Sequence, residues 1–129
     1  MAVCGVCFRH CEIDEGKRGF CFARGCVGGR VRALNYGKIT SLALDPIEKK
    51  PLNRFFPGSR ILSVGSYGCN LRCPFCQNAE ISWSEDAKCW ADEADELMPD
   101  ELAEIALGCR DKGNIGLAFT YNEPLIGYE

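Results

Sequence analysis

The sequence predicts an α/β fold in which a cysteine-rich segment and a β-hairpin precede one parallel β-α-β unit. Two short apolar runs, 60–66 and 115–121, are typical of strands, and an amphipathic helical pattern lies between them. Parallel strands need a crossover of this kind, and the crossover is almost always right-handed. The other observation is the cysteine content, because ten cysteines occur in 129 residues and five of them precede residue 28.

The first predicted part of the chain, residues 1–58, begins with a metal-binding pattern. Cys4, Cys7, Cys11 and Cys21 provide four thiols on a segment with too few apolar residues for a core of its own. A closed four-thiolate zinc site would give such a segment a stable fold. An iron–sulfur cluster is the alternative, although the spacing differs from the cysteine run of bacterial ferredoxins. The pattern favours zinc and leaves a second cluster open.

A β-hairpin is predicted for residues 29–44, because two β-type runs flank the turn-forming triplet Asn35-Tyr36-Gly37. Residues 45–58 contain three prolines and are predicted to form an extended, irregular connector.

The second predicted part, residues 59–129, contains the parallel unit. A helix is predicted for residues 99–112, because Pro99 suits a first helical turn and Gly113 suits a helix end. The apolar stripe of this helix is Leu102, Ile105, Ala106 and Cys109. Residues 81–95 are polar and acidic and predict no definite element.

The two strand ends predict the position of a site. In parallel sheets ligands gather at the carboxyl ends of the strands, and neighbouring strands lie about 4.8 Å apart. Cys69 comes just after the first strand, and Asn122-Glu123-Pro124 comes just after the second. We therefore expect the cysteine loop and Glu123 to lie on one edge of the sheet.

The loop after the first strand has the sequence CNLRCPFC and carries three cysteines, Cys69, Cys73 and Cys76. An iron–sulfur cube normally has four cysteine ligands, so three thiolates leave one iron open to a substrate or cofactor. Phe75 is then able to present a flat ring beside the docked molecule. A zinc knuckle that uses the same three cysteines and Cys89 is the alternative.

Composition and charge narrow the class of protein. The net charge of −3 divides into a basic first half and an acidic second half, and the acidic half argues against nucleic acid as the partner. No long apolar run or signal peptide is present, so the sequence predicts a soluble cytoplasmic protein without a membrane partner. Cysteines in a reducing compartment more often bind metal or take part in chemistry than form disulfides.

The cysteine loop resembles the cluster motif of radical S-adenosylmethionine (radical SAM) enzymes. Further motifs resemble, in order along the chain, the radical SAM enzyme of the AmmeMemoRadiSam system, a group related to pyruvate formate-lyase activating enzymes. These motifs are IEKKPL (47–52), FFPGS (55–59), CQN (76–78), EIS (80–82) and TYNEP (120–124). Several separate motifs in one order make the resemblance specific.

This resemblance implies a set of site residues and cofactors. Cys69, Cys73 and Cys76 would bind a [4Fe-4S] cluster whose fourth iron holds the amino and carboxylate groups of SAM. One electron from the cluster would cleave SAM to methionine and a 5′-deoxyadenosyl radical, which abstracts hydrogen from a substrate. Asn122 and Glu123 occupy the place of a Gly-Gly-Glu segment that lies near the SAM amino group in relatives. The family also carries an N-terminal cysteine cluster.

The resemblance and the length together predict an incomplete enzyme. A TIM-type barrel needs about 250 residues, so residues 59–129 are predicted to be the start of a truncated or partial radical SAM barrel. The expected partners are the missing C-terminal barrel half and a one-electron donor such as a flavodoxin or ferredoxin, with a protein substrate as a further candidate. A zinc-binding interaction module without catalysis is the competing function.

Overall fold

The computed structural model describes residues 1–129 and shows a mixed α/β architecture of short strands and three helices. The strands are β1 (Ala2–Val3), β2 (Glu12–Ile13), β3 (Arg24–Val27), β4 (Arg30–Ala33), β5 (Lys38–Ile39), β6 (Ser41–Pro46), β7 (Arg60–Gly65), β8 (Asp95–Glu96) and β9 (Asn114–Phe119). The helices are α1 (Ala79–Ser82), α2 (Glu85–Glu93) and α3 (Pro99–Gly108). No helix has both the length and the apolar character needed to cross a membrane.

The central sheet has the strand order β6-β7-β9 and contains the predicted parallel unit. β7 pairs antiparallel with β6 and parallel with β9. The connection from β7 to β9 contains α1, α2, β8 and α3, and α3 packs on one face of the sheet through a shared apolar cluster. The buried members of that cluster are Leu62, Val64, Leu102 and Ala106. The β-α-β prediction is therefore confirmed.

The helix α3 is shorter than predicted. It begins at Pro99, where the Glu101 carboxylate accepts a hydrogen bond from the Met98 N–H at 2.8 Å, and it ends at Gly108. Residues 110–112 form a 3-10 turn instead, which Gly113 closes with a φ of 87°. Because glycine adopts a positive φ without steric cost, the turn can lead directly into β9.

Asn114 fixes the position of α3 on the sheet. Its side-chain oxygen accepts a hydrogen bond from the Leu62 N–H at 2.9 Å, and its amide donates to the Ala106 carbonyl at 2.8 Å. Asn114 is itself buried. One buried amide therefore satisfies backbone groups of both the helix and β7, which a nonpolar residue could not do.

The hairpin predicted for residues 29–44 is wrong. β4 pairs with the preceding strand β3, and β5 pairs with β8. The turn between β3 and β4 is Gly28-Gly29, where both residues have a positive φ, as a tight two-residue hairpin requires. Lys38 N–H does bond to the Asn35 carbonyl at 3.0 Å, so the predicted turn exists but joins strands of different sheets.

The two predicted parts of the chain, 1–58 and 59–129, share a sheet. β6 belongs to the first part and pairs with β7 along its whole length, from Ser41 opposite Gly65 to Pro46 opposite Arg60. Residues 81–95, for which the sequence predicted no element, contain α2, whose first turn is capped by the Ser84 hydroxyl. The predicted connector, residues 45–58, begins two residues too early, because Asp45 and Pro46 pair with β7 as the end of β6. The rest of it contains a 3-10 turn, Ile47–Lys49, and is otherwise without helix or strand up to β7.

Candidate metal centre

The cysteine loop begins directly after β7 and is tightly packed at its start. Cys69 is buried, whereas Cys73 and Cys76 are partly exposed. Gly68 has a φ of 92°, and a Cβ placed there would lie 2.4 Å from the Ala23 Cβ. Only glycine fits this backbone conformation and this close approach. Gly68 therefore allows the chain to turn from the strand into the loop.

The rest of the loop is more open. The Cys76 N–H donates to the Cys73 carbonyl at 3.1 Å, and the Cys76 Sγ lies 3.9 Å from the Ser82 hydroxyl of α1. Arg72 has a φ of 51°, which is unusual for a residue with a side chain. The Phe75 ring is 83% exposed, so it is available to contact another molecule beside the cysteines.

The donor set of this loop fits an iron–sulfur or zinc site in kind. Residues 69–76 contain three thiols and no carboxylate or imidazole, and soft thiolate ligands select zinc and iron–sulfur clusters. The sulfur atoms do not converge in this structure, because no three histidine, cysteine, aspartate or glutamate side chains are close enough together to hold a metal ion.

The end of β9 contacts the cysteine loop through Asn122. The Asn122 amide donates to the Gly68 carbonyl at 2.9 Å, and its oxygen accepts from the Ser66 N–H at 3.3 Å. The two strand ends therefore meet at one edge, as the parallel pairing predicted. The Glu123 carboxylate accepts from the Leu125 N–H at 3.0 Å and begins the 3-10 turn Pro124–Gly127.

Tyr121, one residue earlier, belongs to a charged cluster that the sequence interpretation missed. Its hydroxyl donates to the Asp45 carboxylate at 2.6 Å, and the ammonium groups of Lys49 and Lys50 lie 2.9 and 3.0 Å from the same carboxylate. A Cβ on Gly65 would lie 2.8 Å from the Tyr121 ring. Lys49 and Lys50 lie in the IEKKPL motif, and Tyr121 lies in the TYNEP motif. Their place in these two motifs was the sequence signal that could have identified the cluster.

The cluster changes the acidity of three groups, and the hydrogen bond to Asp45 raises the pKa of the Lys49 ammonium. Burial alone raises the pKa of Asp45, but the hydrogen bonds from Tyr121, Lys49 and Lys50 outweigh it and hold that pKa well below its ordinary range. Burial, together with the neighbouring Asp45 carboxylate, raises the pKa of the Tyr121 hydroxyl. At neutral pH the cluster therefore contains the charged Asp45 carboxylate, the neutral Tyr121 phenol and the Lys49 ammonium.

The four N-terminal cysteines line one small cavity of about 10 Å³. They are brought together by a backbone hydrogen bond of 2.9 Å from Cys4 to Cys11 and by the turn between Cys7 and His10. Burial raises the pKa of the Cys21 thiol, and the nearby thiols of Cys4 and Cys11 raise it further. The structure thus places all four predicted ligands in the wall of one cavity, although no three of them are close enough together to hold a metal ion.

The other cysteines lie apart from these two groups. Cys26 is fully buried, and its thiol donates to the Glu15 carboxylate at 3.4 Å. Cys89 is exposed on α2, and Cys109 is partly buried at the end of α3. His10 is exposed and has a φ of 42°.

A further cavity opens beside the strand ends. Its volume is about 160 Å³, and Ser66, Asn122 and Phe119 are among its lining residues. Ligand sites usually have volumes of about 300–1,000 Å³. The cavity at the strand ends is therefore smaller than a typical ligand site.

Comparison with known proteins gives one informative similarity. No family model matches the chain, and no solved structure matches it. The chain is 44% identical, over 128 residues, to an uncharacterized protein of Methanocaldococcus jannaschii, MJ0808. The match covers 98% of this chain but 36% of the relative. The chain thus spans about a third of the length of the curated relative that it matches.

Proposed function

We propose that this chain is the N-terminal, cluster-binding part of a radical SAM enzyme. The observation that carries the proposal is the contact between the two strand ends. The CNLRCPFC loop follows β7, and Asn122, which follows the parallel strand β9, donates a hydrogen bond to the first residue of the loop's entry turn, Gly68. Ligand sites in parallel sheets lie at this edge, and the same edge carries two of the motifs of the resemblance, CNLRCPFC and TYNEP.

Cys69, Cys73 and Cys76 are the residues that would hold the [4Fe-4S] cluster. When bound, such a cluster would supply two things: one iron that has no protein ligand and can bind SAM, and one electron that cleaves SAM. The chain's own contribution is to hold the loop. Gly68 allows its tight entry, and Asn122 uses both atoms of its amide to fix the backbone at Ser66 and Gly68.

Asn122 and Glu123 have different roles in this proposal. Because both amide atoms of Asn122 are already hydrogen-bonded within the chain, we assign it to positioning of the loop. Glu123 uses one carboxylate oxygen to cap the following turn, so its other oxygen is available to accept a hydrogen bond from the SAM amino group. Phe75, with its exposed ring, would pack against SAM or the substrate.

For the N-terminal cysteines we propose zinc rather than a second iron–sulfur cluster. Cys4, Cys7, Cys11 and Cys21 line one cavity, and four thiolates are the donor set of a closed zinc site. Their spacing also differs from the cysteine run of bacterial ferredoxins. The closed zinc site would be structural.

Three further partners belong to this proposal: a C-terminal barrel half, an electron donor and a substrate. β9 lies at the edge of its sheet, and its side chains Ile115 and Phe119 are 41% and 63% exposed. The C-terminal barrel half would pair with this edge and complete the pockets for SAM and a hydrogen-donating substrate, with a protein substrate as one candidate. A flavodoxin or ferredoxin would deliver the electron. The 129-residue chain alone should therefore not sustain turnover of SAM.

The experiment that tests this function measures iron, sulfide and zinc after anaerobic reconstitution. We expect about four irons and one zinc per chain, with a broad visible absorption. The triple variant Cys69→Ala/Cys73→Ala/Cys76→Ala should lose the iron and the absorption but retain the zinc. The matched control Cys89→Ala/Cys109→Ala should retain both metals, since neither residue is a proposed ligand.

The same measurement identifies the competing function. Two zincs and no iron in the unsubstituted chain would contradict the radical SAM proposal and leave a zinc-binding interaction module. Loss of one zinc in a Cys89→Ala variant, with both zincs retained in Cys109→Ala, would then identify Cys89 as the fourth ligand of a knuckle with the loop cysteines.

A further inference from the structure

The two cysteine segments meet at one aromatic ring, that of Phe20. The Arg9 guanidinium lies 3.4 Å from the centroid of this ring, and the Arg72 guanidinium lies 3.9 Å from it. Arg9 stands between Cys7 and Cys11, whereas Arg72 directly precedes Cys73. Each of the two candidate metal sites therefore contributes one cation to the same ring.

The two guanidinium groups occupy opposite faces of Phe20. A carbon atom at these distances from the centroid is in van der Waals contact with the ring and lies almost directly above or below its centre. Two groups on one face would overlap, so the ring is held between them. A planar guanidinium stacks well on an aromatic face, and the interaction strengthens where water is excluded.

Backbone contacts reinforce this stack. Arg9 Nε donates to the Asn70 carbonyl at 2.9 Å, and Arg72 Nη2 donates to the Phe20 carbonyl at 2.5 Å. The Cys69 N–H donates to the Cys21 carbonyl at 3.2 Å. Each hydrogen bond crosses between the N-terminal cysteine segment and the loop, so displacement of one backbone would displace the other.

Charge connects this arrangement to metal binding. Two guanidinium groups on one ring repel each other, and they are stabilised when negative charge lies nearby. Thiolates that have lost their protons to a metal would supply that charge on both sides. Arg72 Nε is buried without a hydrogen-bond partner, and Asn70 lines the cavity of the four N-terminal cysteines. The Arg72 Nε–H is therefore free to donate a hydrogen bond, and Asn70 joins the loop to the N-terminal cavity.

We propose that metal bound by the N-terminal cysteines orders the loop of Cys69, Cys73 and Cys76, and that Phe20, stacked between Arg9 and Arg72, transmits this ordering. Arg9, Phe20 and Arg72 are positioning residues. The inference rests on the proposed function for the identity of the bound groups, but the mechanical coupling is a property of the chain itself. Filling the N-terminal site then precedes assembly of a cluster on the loop.

The test follows the alkylation rate of Cys69 in the full 129-residue chain, in a Cys73→Ser/Cys76→Ser background whose loop cannot retain zinc by itself. Alkylated peptides are quantified by mass spectrometry with and without one equivalent of zinc, and the exposed Cys89 serves as the internal reference. Zinc should slow the modification of Cys69 about tenfold, because it stabilises the closed arrangement, and should leave Cys89 unchanged.

Substitutions then test the route. Phe20→Leu should abolish most of the protection by zinc, and Phe8→Leu, the same change at an exposed ring in the same segment, should retain it. Arg9→Gln serves as the second variant if Phe20→Leu does not fold. Equal protection in Arg9→Gln and the unsubstituted chain, with zinc bound to both, would overturn the proposal. Absence of any protection by zinc would overturn it as well.

These outcomes are separate from those of the proposed function. If the unsubstituted chain binds four irons but zinc leaves Cys69 alkylation unchanged in the Cys73→Ser/Cys76→Ser background, the radical SAM function stands and the coupling is overturned. If zinc protects Cys69 but the unsubstituted chain binds no iron, the coupling stands and the radical SAM function is overturned.

Discussion

The Tyr121 hydroxyl donates a hydrogen bond of 2.6 Å to the Asp45 carboxylate, and so joins the end of β9 to β6 across β7. Tyr121 has a φ of 72°, a conformation that side chains rarely adopt. The hydrogen bond and the packing of the ring on Gly65 hold the residue in this strained turn. The next residue, Asn122, is thereby aimed at the cysteine loop.

We therefore expect Tyr121→Phe to weaken the loop as well as the fold. The change leaves the ring in place but removes a hydrogen bond to a charged group, which should lower the free energy of unfolding by about 1.5–3 kcal/mol. Urea unfolding measures this loss, and the iron content after reconstitution measures its effect on the loop. Tyr36→Phe, at an exposed tyrosine, is the matched control and should change neither quantity.

Asp45 predicts an acid-dependent loss of stability. Because its pKa is held below the ordinary value by Tyr121, Lys49 and Lys50, despite burial, its stabilising contribution is complete above the unfolded pKa of about 4. The contribution is lost as the pH falls through the depressed folded pKa. Asp45→Asn should lower the free energy of unfolding by roughly 2 kcal/mol at pH 7.

Urea unfolding midpoints measured between pH 2 and pH 7 test whether the stabilising contribution of Asp45 is lost in acid. The difference between the unsubstituted chain and Asp45→Asn should be constant above about pH 4 and shrink below it. A difference that grows in acid would contradict the assigned direction of the pKa shift.

The substitution Gly68→Ala should strongly lower the stability of the fold, although it adds only one methyl group. Gly68→Ala would introduce a Cβ 2.4 Å from that of Ala23, at a φ of 92°. We expect a loss of about 2–4 kcal/mol in the free energy of unfolding, because strain and overpacking add. Gly108→Ala has no atom within 4 Å of its new Cβ and should be neutral or stabilising, since alanine favours helices. Thermal unfolding compares the two variants, and an unchanged melting temperature for Gly68→Ala would be the contrary result.

Cys21 predicts the pH dependence of zinc binding. Burial raises the pKa of its thiol, so the thiol is protonated at neutral pH and must release a proton to bind metal. Zinc affinity should therefore rise by at least tenfold per pH unit between about pH 6 and pH 8. Competition with a chromophoric chelator measures this slope, and an affinity independent of pH would show that thiols are not the ligands.

The stability of the metal-free chain should fall, rather than rise, as the pH increases into the alkaline range. A folded pKa above the unfolded value means that the Cys21 thiol stabilises the fold below about pH 8.5. This contribution is lost as the pH rises through the folded pKa. Unfolding under reducing conditions between pH 7 and pH 10, with Cys21→Ala as the comparison, measures the effect.

Local sequence rules succeeded where one dominant interaction decides an element. The apolar runs of β7 and β9 and the stripe of α3 predicted the parallel unit, because burial of one apolar face determines each of these elements. The turn at Asn35-Tyr36-Gly37 was also predicted correctly. The hairpin around it was not, because strand pairing depends on partners distant in sequence. Gly28-Gly29 offered β4 a closer partner in β3, and β6 found its partner in β7.

The sequence by itself determined which residues are chemically suited to a site: the three thiols of one loop, the four thiols near the N-terminus, and the segment after β9. Only the tertiary structure decided how they are connected. Tyr121 contacts Asp45 across 76 positions, Arg9 contacts Asn70 across 61, and Arg72 contacts Phe20 across 52. The physical reason is that side-chain hydrogen bonds and cation–π stacks have no sequence periodicity, and depend on backbones brought together by the burial of other residues.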